Sequence, residues 1–375
     1  MNGGASYDLA VIGGGVMGCL VALHLARVGM RIAVLEARGG LCTQASGVNT
    51  GHVAVMDGRS YRVPYALRSI ELWAGAATWL GTDVGFRSLP GLKVAFTDAE
   101  EEELVASVNA MRAEGATLEM VGANRAREIE PALSPSVRAA VWSPRDGYAN
   151  PLCIADGFTA ALARAGVAVR LHAPVGAIDP GPPFLIRSAS GTVRARRLLL
   201  AAGVWIGEVA ALMGVSLPML CRVSQVTVTE RQPRMIRTLL GTATDTLSLK
   251  QVDNGAVLIG GGWQGIGSLE DGPREVVPEH VVGNLRLACA TVPALVQARA
   301  VRTWLGLEAR VADNLPLAGA LPGIANAWVL GAVHTGFALS PAAAEMMASV
   351  MLGRAPAVPA FDPARFAGAK APAVA

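Results

Sequence analysis

The chain has 375 residues, 52% hydrophobic and 16% charged, with a formal net charge of +3 at pH 7. That balance excludes an intrinsically disordered protein and allows two domains around a large core. Its 32 Lys and Arg residues are spread out without a basic block, which speaks against nucleic acid as the partner.

Residues 1–7 lack the charged start and apolar run of a secretory signal. No stretch reaches the ~20 uninterrupted apolar residues that a membrane span needs. The nearest, Val16 to Val28, is broken by His24 and Arg27. Asp8 to Ile12 reads as a buried parallel strand, Val16 to Val28 as a helix closed by Gly29, and Arg31 to Glu36 as the next strand. Gly39 to Val53, rich in Gly, Ser, Thr and Asn, reads as a long functional loop. Tyr65 to Leu80 reads as one helix, Leu92 to Phe96 as a strand, and Ala99 to Glu114 as a helix whose acidic start favours an N-terminus. A helix over Asp156–Arg164 and strands over Val167–Leu171, Phe184–Arg187 and Thr192–Leu200 follow.

The second half reads as antiparallel strands at Ser224–Glu230, Leu247–Gln251 and Val257–Gly260, then a helix over Val281–Ala290. Strands at Val301–Leu307 and Ala327–Leu330 precede a helix from Ser340 to Leu352. The expected class is α/β: a Rossmann-type nucleotide-binding domain with an interleaved antiparallel-sheet (α+β) substrate domain. The expected boundaries are 1–85, 150–215 and 300–375 for the first, and 86–149 and 216–299 for the second. Residues 355–375, rich in Ala and Pro, read as a loosely ordered tail. Five scattered cysteines without a Cys-x-x-Cys spacing argue against a disulfide framework or a metal site and suit a reducing cytoplasm.

Gly13-Gly14-Gly15-Val16-Met17-Gly18 carries Gly-x-Gly-x-x-Gly between a strand and a helix. Gly13 allows the tight turn, Gly15 the approach of a diphosphate, and Gly18 close helix–strand packing. The helix start, including Val16 and Met17, then faces the anion. Glu36 ends the next strand, where it accepts hydrogen bonds from ribose hydroxyls and repels a 2′-phosphate. Ala37 and Arg38 follow it. The motif alone does not separate FAD from NAD.

The choice comes from the loop Thr43-Gln44-Ala45-Ser46-Gly47-Val48-Asn49-Thr50-Gly51-His52. It resembles the D-amino-acid-oxidase-type flavoenzymes, in the branch of glycine oxidase and the sarcosine oxidase β subunit. The resemblance runs over nearly the whole chain. It includes Ala173-Pro174-Val175 near the adenine, Ala201-Ala202-Gly203-Val204-Trp205 beside FAD, and Cys221 to Val226. It continues through Leu258 to Trp263, then Gly306 to Pro316, and Gly331 to Pro341. It implies non-covalent FAD held by Gly13, Gly15, Val16, Met17, Gly18, Glu36, Ala37 and Arg38. The loop adds Thr43, Ser46, Gly47, Asn49, Thr50 and Gly51. Val175, Ala202, Gly203, Trp205, Gly306, His334, Thr335, Gly336, Phe337 and Ala338 complete the set. No metal is implied.

The implied reaction is oxidation of a C–N bond in an amine or amino acid by hydride transfer to the flavin, giving an imine. The substrate classes are a secondary amine, a D-amino acid or an opine-like compound. One departure stands out. Many relatives read Gly-Leu-Arg-Pro where this chain reads Gly306-Leu307-Glu308-Ala309, and that arginine clamps the substrate carboxylate. Glu308 either meets a substrate ammonium or joins an internal ion pair. Lys250, Arg222 and Arg302 are the candidate replacements. His52 and His334 are candidates beside the flavin, so the catalytic candidates are His52, Lys250, Glu308 and His334. The resemblance to β subunits and the high apolar content leave open a partner chain or a homo-oligomer. An RNA-modifying flavoprotein is the outlying alternative, disfavoured by the missing basic block.

Overall fold

The computed structural model describes residues 6–56, 59–244 and 246–367. The strand Ser6–Ile12 lies at the heart of an eight-stranded sheet, parallel to Ile32–Leu35 on one side and Gly191–Leu200 on the other. Ala168–Arg170 extends this parallel set beyond Ile32–Leu35. Ala327–Gly331 pairs in parallel with the end of Gly191–Leu200. Ile32–Leu35 is buried throughout, as an unbroken apolar run in a sheet covered on both faces requires. The helix Val16–Ala26 packs beside the long helix Gly336–Met351, which also packs on Val63–Ala74.

The second sheet also has eight strands, running from Ala300–Arg310 through Leu220–Thr229, Val257–Gly260, Ser248–Gln251, Leu239–Thr242, Gly91–Ala95 and Ala139–Ser143 to Glu119–Gly122. Its pairs are antiparallel except Leu239–Thr242 with Gly91–Ala95, which run parallel. A small three-stranded sheet joins His52–Val53, Gly147–Tyr148 and Arg87–Ser88 between the two.

Four details depart from the sequence reading. Ala300–Arg310, expected with the nucleotide-binding segments, pairs along its length with Leu220–Thr229 in the second sheet. It still touches the nucleotide loop, because a Cβ on Gly306 would come 2.6 Å from Val48 Cγ2. The helix expected over Tyr65–Leu80 is two, Val63–Ala74 and Ala76–Leu80, divided at Gly75. The segment 355–367 is anchored: Phe361 is buried against Tyr61 and Tyr65, and Arg365 pairs with Asp313 at 2.8 Å. The expectation for 368–375 lies outside the described residues.

The last helix begins at Gly336, not Ser340. Pro341 is therefore inside it and gives Phe337 no N–H to bond four residues back. The Ser340 hydroxyl takes that place, donating to the Phe337 carbonyl at 2.8 Å. The acidic start read at Ala99–Glu114 is a capping box, with Thr97 accepting from Glu100 N at 3.2 Å and Glu100 reaching back to Thr97 N at 3.1 Å.

Candidate active site and cofactor cleft

A cavity of about 930 Å³ runs between the two sheets. Every sequence-selected residue lines it except Gly18, Thr43, Gly47, Lys250 and Arg302. Gly18 and Lys250 are buried behind the wall, Gly47 is half-buried, and Thr43 is exposed. A Cβ on Gly18 would lie 2.1 Å from the Gly13 carbonyl oxygen, so the helix meets the strand too closely for a side chain. Gly47 is limited the same way by the Cys42 carbonyl oxygen at 2.4 Å. Thr43 donates to the Gly40 carbonyl at 3.4 Å, within its own loop.

At one end, Gly13 turns with φ of +109°, and a Cβ there would be 2.4 Å from the Ala201 oxygen. The helix after Gly15 has no side-chain N-cap, which suits a diphosphate. Ser46 Oγ accepts from Val16 N at 3.0 Å, tying the loop to the helix start. Glu36 accepts from Gly14 N at 2.7 Å and Arg38 N at 2.8 Å, which fixes its carboxylate on the cavity wall. Asn49 stiffens the loop: its amide donates to the Ala45 and Ser46 carbonyls at 2.9 Å and its oxygen accepts from Gly51 N at 2.7 Å. Arg38 stacks 5.5 Å from the Trp205 ring. These features fit an adenine dinucleotide with its anion at the helix start, and the residues from Ser46 to His52 and from His334 to Ala338 would meet its flavin half.

At the other end, the second sheet turns one face to the cavity. Arg222 and Ser224 come from Leu220–Thr229, Ser248 from the strand beside it but one, and Gly306, Glu308 and Arg310 from the edge strand. Glu308 is internal: its Oε1 is 3.2 Å from Arg310 Nη2 and 2.7 Å from His334 Nδ1, and its Oε2 accepts from Ser224 at 3.4 Å. Of the two roles the sequence left open, the ion pair is the one formed. His334 Nδ1 also stands 2.6 Å from Arg310 Nη2, and one ring nitrogen satisfies only one of these neighbours at a time. Burial pushes the His334 imidazolium below its ordinary range, against the pull of Glu308. Burial would raise the Glu308 carboxyl, but its bonds and the nearby charges outweigh that and hold it well below the usual range. The groups that hold it there are His334, by hydrogen bond and charge, then Arg310 and Arg222.

His52 lies near Ser248 Oγ, with ring nitrogens 3.3 and 3.4 Å away. Lys250 does not reach the cavity. Its buried ammonium donates to the Thr50 carbonyl and sits 4.2 Å from the Tyr148 ring centroid. Burial lowers its pKa to about 7. Arg302 lies on the exposed end of the edge strand, away from the site. Sequence reasoning missed Arg310, Arg59, Arg62 and Asn314, all on the cavity wall. The period of two along a strand was the signal available for Arg310, since it shares a face with Glu308.

The family model described as FAD dependent oxidoreductase (DAO) matches residues 8–350. The chain is 28% identical over 325 residues to one of the subunits of an opine oxidase from Rhizobium meliloti, covering 83% of this chain and 84% of that protein. It is 26% identical over 355 residues to glycine oxidase of Geobacillus kaustophilus, covering 92% and 93%. Its fold matches the crystal structure of L-proline dehydrogenase from P. horikoshii with a TM-score of 0.88 at 22% identity, covering 98% of this chain and all of that one. The chain belongs to the DAO family of FAD-dependent oxidoreductases.

Proposed function

We propose that this enzyme oxidises the C–N bond of a small amine that carries a carboxylate, an N-substituted amino acid or opine-like compound, to its imine. The cation excess at the sheet end of the cavity carries the reading. Arg222 and Arg310 line it against the single carboxylate of Glu308. The Nε–H of each guanidinium is buried without a partner in the chain, at a cost of about 1–3 kcal/mol.

Bound FAD supplies the hydride acceptor. The protein's own groups hold the substrate carboxylate, orient the C–N bond and exclude water. His334 and Ser224 add polar contacts on the cavity wall. Kinetics on matched amines with and without a carboxylate test the reading. Turnover is expected only for the carboxylated members, and equal turnover of both sets overturns it.

A second reading concerns assembly. The likeness to one component of an opine oxidase, over 83% of this chain, supports a partner chain. Size measurement and dye-linked activity of the chain alone and with a candidate partner test it; full activity alone sinks it. We also infer a cytoplasmic location from the scattered cysteines, all of them free thiols. Cell fractionation checks that inference.

A further inference from the structure

Arg62 ends the turn Ser60–Arg62 that leads into the helix Val63–Ala74, and its side chain lines the cavity. It is 4% exposed. A guanidinium that buried needs an anion, because desolvating it costs several kcal/mol unless a charge answers it. Among the described residues no carboxylate pairs with it. Its Nε donates to Tyr61 Oη at 3.1 Å, and its guanidinium lies 5.4 Å from the Tyr61 ring centroid. Both contacts are neutral. Glu308 does not serve, since its oxygens are committed to Arg310, His334 and Ser224.

The surroundings fix which anion Arg62 waits for. Tyr61 Oη donates to the Asn314 carbonyl at 3.1 Å, and Asn314 Oδ1 accepts from Arg310 Nη1 at 3.1 Å. Arg62 thus belongs to the polar chain that ends on Arg310. Its charge is felt at His334, where it disfavours the imidazolium. The glycine turn that suits a diphosphate is built from other elements, Gly13 to Gly18 and Ser46.

We propose that Arg62 is a second carboxylate-binding residue and that the substrate is a secondary amine with two carboxylates. One carboxylate lies on Arg222 and Arg310 and the other on Arg62. This rests on the carboxylated-amine reading above and narrows it. The three guanidiniums and Glu308 leave two positive charges, and a dianion balances them.

Iminodiacetate, with two carboxylates on one nitrogen, and sarcosine, with one, are the probes. The holoenzyme is compared with Arg62→Met and Arg62→Lys. In Arg62→Met the ratio of kcat/KM for iminodiacetate to that for sarcosine is expected to fall on the order of 100-fold, mainly through KM. Arg62→Lys recovers part of that ratio. Iminodiacetate is expected to raise the melting temperature of the wild type and not of Arg62→Met. A ratio that stays constant while both rates fall, or a loss of flavin absorbance in Arg62→Met, overturns the proposal. Wild-type turnover of only uncharged amines overturns the parent reading instead, so the two failures are distinguishable.

Discussion

Glu308 and Arg310 stand two residues apart on the edge strand and face the same cavity, carboxylate Oε1 3.2 Å from guanidinium Nη2. Successive side chains on a strand point to opposite faces, so a shift of two keeps the direction and moves the group by one pleat, ~7 Å. One pleat along from position 308, where the family resemblance implies an arginine, Arg310 presents a guanidinium to the same cavity. Position 308 itself carries the acid that balances it.

Truncating Arg222 tests the sheet-face clamp. Removing one partner of a close charge pair costs about 2–5 kcal/mol. Arg222→Met is expected to lower kcat/KM for a carboxylated amine on the order of 100-fold. Steady-state kinetics at fixed pH measure it, and a loss below threefold removes Arg222 from the clamp.

Glu308→Gln should show a stability difference that depends on pH. The folded carboxyl titrates below its unfolded value of 4.5, so its contribution is full above that pH and is lost as pH falls through the folded value. At pH 7 the variant is expected to be less stable by about 1–2 kcal/mol, discounted for the partial exposure of the pair. The difference should shrink below pH 4.5. Denaturant melts across pH 3–7 read it; a gap that does not narrow in acid would falsify the assignment.

Lys250 predicts a slope of the same sign in a different pH window, between about 7 and 10.5. Its folded pKa of about 7 lies below the unfolded 10.5, so the cost of burying its charge is full below the folded value and disappears as pH rises through that window. Wild-type stability should gain about 1.4 kcal/mol per pH unit there from this group alone. Lys250→Met removes the titration, so its melting temperature relative to wild type should be highest near neutrality and fall toward pH 9. A pH-independent offset would mean that the ammonium is not buried as described.

Gly18→Ala tests the helix–strand contact. The new Cβ would press on the Gly13 carbonyl oxygen at 2.1 Å. Overpacking of this kind costs about 1–3 kcal/mol, and here it deforms the turn that would hold the diphosphate. Protein purified from the same preparation should carry less than half the wild-type flavin absorbance. Full flavin loading would show that the turn tolerates the shift.

Ser340→Ala removes the donor that replaces the missing N–H of Pro341. The Phe337 carbonyl is then buried without a partner, at a cost of about 1–3 kcal/mol. A melting temperature within a degree of wild type would contradict this.

The nucleotide-binding start was legible because its signals are local: an apolar run, three glycines and an acid, all within Asp8 to Glu36. The capping box at Thr97 was half legible for the same reason, as its acidic start. Other features depend on long-range pairing. Gly147–Tyr148 is a strand only because His52–Val53 and Arg87–Ser88 lie beside it. The edge strand's membership is set by Leu220–Thr229, about 80 residues earlier, and no local pattern announces it. The sequence places the start of the last helix at Ser340 rather than Gly336, because the serine that compensates for Pro341 acts through a hydroxyl rather than through the backbone pattern. Glu308 drew attention as a foreign residue, but its partners at 310 and 334 are visible only once strand and loop meet.

The edge strand also hooks the nucleotide loop: Trp304 Nε1 donates to the Val48 carbonyl at 2.7 Å, beside Gly306. The cleft wall draws on residues from Ile12 to Ala338. During synthesis the glycine turn therefore emerges about 300 residues before the strand that latches its loop, and a chain stalled before Trp304 offers only part of the cleft wall.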